Sequence, residues 1–548
     1  MTVNDGYKIV LTADRTLMSE YGGGIFIGFA ASAPRGILPD RLYFSLLCPP
    51  LDADDEGRVE AAPCGTRKIE ASLLRHGFSR EDVIVAHPEH LHKSIGAKTR
   101  VLAITEFDPL GMGPATSTFT QLMGGEAYMT YKFRKILGHP SVKTFGPKVV
   151  VGGPGAWQLE DEHLMRELGV DHVVLGEGEN VVGPLFEKLD EGTGAPRILR
   201  GGVVSEDDIP AINGPTIHGI VEIARGCGRG CDFCVPNLQS YRCLSVNHIL
   251  EEVEVNLRAG RQPLLHAEDV LRYKAKGFEV NKEAVIKLFA AVKKHPGVES
   301  VSISHFSLAS VASAPDVVEE ISHVLGIGET SPWLGAQTGL ETGSPRLMKA
   351  HMNGKCKPFT PHDWPNVVVE AFEALSENQW VPSATLIMGL PDEDEGDVDL
   401  TIQLVERLRD FKSLIVPLFF VAEGALARRA ESFTLDRMNR AHGELFVKSW
   451  RHNLRWIPTL LKEYSQMSVR SGLRRHQLNL VASFAVRYAD RIFSMCEDEY
   501  DYDLARMVRD IRAGKACVTP LPVRVAQRLQ HATATSRVKV GLRKLEAD

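Results

Sequence analysis

The feature that most narrows what this chain can fold into is an alternation running through most of its length. Short apolar runs closed by glycine or proline are separated by stretches of helical spacing. In the first part these runs are Tyr43 to Cys48, closed by Pro49-Pro50, then Val83-Ile84-Val85 and Val101 to Thr105. Lys148 to Val151 follows, ended by Gly152-Gly153-Pro154-Gly155, and Val173 to Leu175 leads into Gly176-Glu177-Gly178-Glu179. A helical stretch lies at Arg67 to His76. Apolar strands separated by helices predict a parallel sheet covered on both faces, whose ligands sit at the carboxyl ends of the strands, where these glycine-rich turns lie. Ala195 to Ile212 reads as a linker. The alternation then resumes with strand candidates Gly219 to Ala224, Pro263 to His266, Ser300 to Ser304, Trp333 to Ala336, Ser383 to Met388 and Ile415 to Phe420. Asn247 is placed to cap a helix carrying Ile249, Leu250, Val253 and Leu257 on one face, and Pro365 to start another carrying Val368, Phe372 and Leu375. Parallel strands with intervening helices predict a barrel or partial barrel. After about residue 435 only helical patterns remain, at Leu435–Ser465, Leu473–Cys496 and Tyr502–Gly514.

The fold class expected is therefore α/β. It comprises a Rossmann-like parallel sheet domain with an N-terminal extension (1–200), a central partial TIM-type βα barrel (201–435) and a helical C-terminal region (436–548). Composition removes other classes. The 63 Lys+Arg against 70 Asp+Glu give a net charge of −7, with 24% charged and 44% apolar residues, so neither a disordered nor a collagenous chain fits, nor a generally basic nucleic-acid coat. No run approaches the roughly 18 apolar residues of a membrane span. The opening MTVNDGYKIVLTADR has no basic stretch followed by an apolar one, so no secretory signal is expected. Nine cysteines, an odd number with three crowded together, fit a reducing cytoplasm better than a disulfide framework.

Those three are Cys227, Cys231 and Cys234 in Ala224-Arg225-Gly226-Cys227-Gly228-Arg229-Gly230-Cys231-Asp232-Phe233-Cys234, directly after a strand. The glycines let the backbone curl so that three sulfurs converge, and Arg225 and Arg229 would favour thiolates. Structural zinc takes four protein ligands, and Cys243 or His248 could supply the fourth. An iron–sulfur cube accepts thiolates equally well; held by only three, it keeps one iron open to a substrate or cofactor. A chance run of unreactive cysteines is the third reading.

The spacing Cys227-x₃-Cys231-x₂-Cys234, with Phe233 before the last thiol, resembles the radical S-adenosylmethionine (SAM) superfamily. The resemblance implies that the three cysteines hold a [4Fe-4S] cluster whose open iron chelates SAM. Reductive cleavage then yields a 5′-deoxyadenosyl radical, fed by a ferredoxin- or flavodoxin-like reductant. His266-Ala267-Glu268-Asp269 resembles the segment that binds the SAM amino group, with Glu268 and Asp269 as acceptors. Gly335 to Ser344 resembles the segment that places Gln337 or Glu341 near the ribose or carboxylate. Leu386 to Glu393 (LIMGLPDE) resembles the family's later G-L-P turn.

Residues 35 to 190 resemble the cobalamin-binding-type domain that precedes many of these barrels. That likeness makes Gly153 and Gly176 cofactor-binding candidates, within corrin-holding loops Glu106–Gly113, Gly152–Trp157 and Gly176–Glu179. The D-x-H-x-x-G motif that supplies an axial histidine in other cobalamin proteins is missing; the nearest string, Asp161-Glu162-His163, lacks the glycine. An empty Rossmann-like domain is the competing reading. His87, His90 and His92 read as solvent-facing, with zinc as the minor option. The tail Leu521–Asp548 has six Lys/Arg against two Asp/Glu, with Arg470, Arg474 and Arg475 upstream. It reads as solvated helix faces, or else a docking surface; with no interleaved aromatics, nucleic acid is not expected. Cys48, Cys64, Cys243, Cys356, Cys496 and Cys517 read as buried or inert.

The resemblance implies a cobalamin-dependent radical methyltransferase acting on an unactivated carbon. Two rivals stand beside it: a radical SAM enzyme that forms a carbon–carbon bond or modifies an isoprenoid lipid without methyl transfer, and a non-catalytic, metal-stabilised binding protein. Peptide, lipid and small metabolite all stay open as substrate.

Overall fold

The computed structural model describes residues 5–21, 25–36, 38–235, 240–468 and 472–516. The basic tail, Cys517 and Arg470 lie outside these, as does the side chain of Arg474.

Six parallel strands form the first sheet: β1 (Ile9–Ala13), β2 (Val83–Val85), β3 (Val101–Thr105), β4 (Lys148–Gly152), β5 (His172–Gly176) and β6 (Ile198–Gly201), in the order β2-β1-β3-β4-β5-β6. Strand β1 is buried along its whole length, and separate apolar clusters cover the two faces of the sheet. The order reverses between β1 and β3, and in doubly wound sheets ligands bind outside the carboxyl ends at such a reversal. Three expectations are corrected here. The sheet begins at β1, ahead of the stretch from residue 35 on which the resemblance rested. Tyr43–Leu47 is a π-helical turn, not a strand: its tyrosine stacks on Tyr128 with ring centroids 3.7 Å apart, while Ser45 and Leu46 face solvent. The supposed linker contains β6, which pairs with β5 at the sheet edge.

The barrel strands follow in chain order. They are β7 (Ile220–Glu222), then, after a short antiparallel rung β8 (Ala224–Arg225) and β9 (Arg242–Cys243), β10 (Leu264–His266), β11 (Ser302–Ile303), β12 (Leu334–Glu341), β13 (Trp380–Met388) and β14 (Leu414–Phe419). Strands β7, β10 and β11 pair in parallel, as do β12, β13 and β14. A parallel bridge between His305 and Gln337 joins the two sets, through Gln337 N to Ser304 O at 2.8 Å and Phe306 N to Gln337 O at 3.1 Å. The result is a partial barrel of six strands, and one apolar core runs through it into the C-terminal helices. The helix Val246–Arg258 is capped by Ser245, whose hydroxyl accepts from the His248 amide, so Asn247 lies inside the first turn rather than at the cap.

An incomplete barrel leaves the backbone of β14 unpaired along one edge, and this chain closes it with side chains. Asn453, on the helix Arg440–Ser468, accepts from Ile415 N and donates to Ile415 O, both at 2.7 Å. Thr118, on the helix Pro114–Met123 after β3, accepts from Phe419 N at 2.8 Å. The helix after β3 is thereby pinned to the carboxyl end of β14, at the mouth of the barrel. Helices Gly472–Asp498 and Leu504–Arg512 complete the C-terminal region. Among the described residues no helix is long and apolar enough to cross a membrane.

Candidate functional site

The cysteine loop leaves β8 through Gly226, Gly228 and Gly230, whose φ values of 76°, 62° and 72° lie in the left-handed region that side chains rarely adopt. This alternation turns the three thiols toward one another. Cys231 and Cys234 share a hydrogen bond that holds the Cys231 thiol below its ordinary value and raises that of Cys234. Burial raises Cys227, with the like charge of Cys231 adding to it. None of the eight described cysteines forms a disulfide. The loop backbone is fixed on every side. Arg272 donates to the Cys227 carbonyl, Asp232 N donates to His351 O at 2.9 Å, and Ala425 N donates to Asp232 O at 2.9 Å. A Cβ at Gly424 would sit 2.2 Å from the Cys234 carbonyl, so this contact admits glycine alone.

The two residues that could have made a fourth zinc ligand are engaged elsewhere. Cys243 Sγ lies 2.9 Å from the Tyr241 hydroxyl and accepts from Lys274 N at 3.1 Å, while His248 faces Glu252 at 3.1 Å. Among the described residues no three His, Cys, Asp or Glu side chains gather round a single metal ion. With Cys243 and His248 committed elsewhere, three thiols on one loop suit a cluster with an open corner.

Of the two arginines expected to favour the thiolates, Arg229 acts on Cys231 and Arg225 is committed elsewhere. Arg225 is taken up by carboxylates: it pairs bidentately with Glu222 (2.8 and 2.9 Å) and also with Glu177 (2.9 Å) and Glu179 (2.8 Å). Arg229 is held by the carbonyls of Gly354, Lys355 and Lys357, by Asp269 at 3.2 Å and by Ser310 at 3.0 Å. The cation that acts on both Cys231 and Cys234 is Lys355, half-buried and paired with Glu341 at 2.7 Å, and Arg229 adds to it at Cys231. No motif marks Lys355; only the fold brings it there.

Glu177 ties the cysteine loop to the first sheet. It follows β5 and reaches both ends of the loop: Arg225 at the entry, and Arg242 at the exit with contacts of 2.7 and 2.9 Å. These two arginines face each other across the β8–β9 rung. The Val204 amide adds a third donor at 3.0 Å. Against the upward push of burial, Arg242, Val204 and Arg225 hold the Glu177 carboxyl below its usual range. The Gly-Glu-Gly-Glu segment thus spends its acids on the barrel.

The other residues singled out in the sequence divide sharply. Asp269 is buried and bound to Arg229 and, at 2.6 Å, to Ser310, while its Oδ1 has no partner. Glu268 is half-buried, and its charge acts on both Cys227 and His266, which makes it the open carboxylate beside the thiols. Glu341 sits at φ 63°, where β12 and β13 slip register. Gln337 bridges β11 and β12, and its side chain lies against His305. In the Leu386–Glu393 turn, a Cβ at Gly389 would meet the Phe433 ring at 2.0 Å, and Glu393 accepts from Gly389 N at 2.6 Å, an architectural role.

At the first sheet, Gly153 and Gly176 are glycines because backbone fills their Cβ space. The atoms met are Glu106 O at 2.7 Å for Gly153 and Gly201 O at 2.5 Å for Gly176. Both remain exposed at the carboxyl ends of their strands. What faces outward from this end is apolar, with Phe107 58%, Met112 45% and Met123 51% exposed, and a bulky apolar ligand suits such a surface. Beneath it Asp14, Glu106 and Asp108 are buried; both Glu106 oxygens and Asp14 Oδ2 have no hydrogen-bond partner. Asp161 proves to be a helix cap, accepting from His163 N and Leu164 N at 2.8 and 2.9 Å, and His163 faces solvent. His87, expected to face solvent, is fully buried, and burial lowers its pKa to about 4.

No family model matches the chain. In sequence it is similar to an uncharacterized methyltransferase of Pyrococcus horikoshii, 24% identical over 407 residues that cover 68% of this chain and 78% of that protein. It is also similar to the tRNA-2-methylthio-N(6)-dimethylallyladenosine synthase of Flavobacterium psychrophilum, 25% identical over 292 residues, 50% of this chain and 59% of that protein. Among solved structures it aligns with the radical S-adenosylmethionine methyltransferase TsrM from Kitasatospora setae with cobalamin and [4Fe-4S] cluster bound. That alignment has a TM-score of 0.48 at 13% identity and covers 77% of each chain. The resemblance carried by the cysteine spacing thus recurs over half to about two thirds of the sequence, among proteins named as a methyltransferase and a methylthio-tRNA synthase.

Proposed function

We propose that this chain is a radical SAM enzyme that transfers a methyl group to an unactivated carbon with the help of cobalamin. The observation that carries the reading is the glycine-turned loop that brings Cys227, Cys231 and Cys234 together while Cys243 and His248 are committed elsewhere. Bound at these thiols, a [4Fe-4S] cluster would supply the electron that splits SAM, and cobalamin over the first sheet would supply the methyl group. The chain's own residues then do the rest. Lys355 offsets the negative charge of three thiolates in a buried setting. Glu268 is the free acceptor for the SAM ammonium, with Gln337 and Glu341 further round the mouth of the barrel. The clasp of Glu177 on Arg225 and Arg242 keeps the first sheet registered on the cysteine loop, so that a ligand of one half faces a ligand of the other. The same reading divides the chain into residues 1–200, 201–435 and 436–548, and it seats the corrin against the exposed turns of Gly153 and Gly176 and the apolar surface of Phe107 and Met112.

The test is anaerobic reconstitution with iron, sulfide, hydroxocobalamin and a chemical reductant. The reading expects 5′-deoxyadenosine from SAM in the wild type and none when Cys227, Cys231 and Cys234 are replaced by alanine. A product that gains no carbon would remove the methyl-transfer part alone.

A further inference from the structure

Among the described residues five arginines or lysines are buried: Arg15, Arg67, Lys68, Arg229 and Arg272. Four of them meet a carboxylate. Arg15 has Glu89 at 3.3 Å, Arg67 has Glu70 at 2.8 Å, Lys68 has Glu252, and Arg229 has Asp269 at 3.2 Å. Arg272 is 3% exposed and has no carboxylate partner among the described residues. Its Nη1 donates to the carbonyl of Cys227 and its Nη2 to that of Gly277, while its Nε has no partner. The guanidinium lies over two rings, 4.7 Å from the centre of Tyr241 and 5.2 Å from that of Phe278. The Arg272 carbonyl accepts from the Tyr241 hydroxyl and, at 2.8 Å, from Ala275 N, so the segment that carries the charge is fixed as well. Asp269, whose charge reaches Arg272, is bonded to Arg229, which leaves two guanidiniums to one carboxylate. Burial first, then the like charge of Arg229, lowers the Arg272 pKa from its ordinary value.

We propose that Arg272 is a positioning residue for the iron–sulfur cluster: a built-in positive charge, clamped on the carbonyl of a cluster ligand, that raises the cluster's reduction potential. This deepens the proposed function and rests on it in assigning a cluster to Cys227, Cys231 and Cys234. A buried cation without a counter-ion is disfavoured until negative charge arrives. The negative charge this loop is shaped to gather is that of three thiolates and of an electron added beside them. Two carbonyls and two aromatic faces ease the cost of burial without neutralising the guanidinium. Lys355 differs in this respect, because its charge is already paired with Glu341.

The test is a redox titration of the reconstituted cluster, followed by electron paramagnetic resonance of its reduced form, in wild type, Arg272→Gln and Arg272→Lys. Glutamine keeps an N–H donor for the carbonyls without the charge, and lysine keeps the charge without the fork. At a fixed potential the ratio of reduced to oxidised cluster is expected to fall about tenfold in Arg272→Gln, or about 59 mV for one electron, and to stay within about threefold of wild type in Arg272→Lys. An unchanged potential in Arg272→Gln, or equal falls in both variants, overturns the proposal, because a purely structural arginine is lost in both alike. Thermal unfolding of the unloaded proteins needs no cluster. Arg272→Gln, relieved of a buried charge without a counter-ion, should unfold no lower than wild type; a Tm clearly below it overturns the proposal. A wild type that takes up no iron would sink the proposed function, and the unloaded comparison would still decide whether Arg272 is a stranded charge.

Discussion

Replacing Glu177 by glutamine keeps the shape of the side chain and removes the one charge that holds both ends of the cysteine loop. Glu177, Arg225 and Arg242 have side chains 4%, 14% and 9% exposed, so the clasp is buried. Breaking a buried pair by deleting one partner costs about 3–5 kcal/mol, because the other charge is left uncompensated. Arg225 keeps Glu222 and Glu179, whereas Arg242 has no other carboxylate among the described contacts. The loss should therefore lie near the low end, about 3 kcal/mol, which corresponds to a fall in Tm of about 6–12 °C for a domain of the barrel's size. A double-mutant cycle locates the cause. In Glu177→Gln with Arg242→Met the stranded guanidinium is gone, so the double variant should lose clearly less than the two single losses added together. Thermal unfolding of the iron-loaded protein, followed together with iron release to a chelator, measures both stability and the hold on the loop. A Glu177→Gln variant within about 1 °C of wild type, or fully additive losses, would refute the view that this acid spans the two halves.

Two further outcomes are expected. Lys355→Met strands Glu341 in a buried setting and should cost about 3 kcal/mol or more in urea unfolding, most of it recovered in Lys355→Met with Glu341→Gln; equal losses in the single and double variants would refute the pairing. Burial first, then the charges of Asp14 and Asp108, hold the Glu106 pKa well above its ordinary 4.5. The folded protein therefore keeps a proton that the unfolded chain releases, and stability falls by about 1.4 kcal/mol per pH unit above roughly pH 4.5, until the folded pKa is reached. Glu106→Gln should match wild type near pH 4 and outlast it progressively toward pH 8, and parallel unfolding profiles would contradict this.

The sheet strands were legible where an apolar run is buried on both sides, as at Val101–Thr105 and Lys148–Gly152, because such runs have few other places to go. Ile9–Ala13 has the same character but stands alone, with no helical stretch between it and the chain start to announce a βα unit. Tyr43–Leu47 misled for the opposite reason: its apolar residues serve aromatic stacking on Tyr128, and only Tyr43 is buried. β6 escaped notice because an edge strand need be only half apolar, and Ile198–Gly201 is partly exposed. In the site, spacing revealed the thiols and the glycines that turn them, since both are local. The groups that surround them come from distant segments: Lys355 from beyond β12, Arg272 from beyond β10 and Glu177 from the first sheet. Arg225 was assigned to the thiols by adjacency, while three carboxylates folded onto it from elsewhere. Sequence nearness gave the donors and Arg229, and the fold gave Lys355.

The measurement closest to the centre of the account is the iron, sulfide and corrin content of anaerobically purified protein, read beside its yield of 5′-deoxyadenosine from SAM. About four irons and one corrin per chain, with iron and nucleoside both lost when Cys227, Cys231 and Cys234 become alanine, is the result this account predicts. Iron retained by the alanine variant, or SAM left uncleaved by a fully loaded wild type, would contradict it.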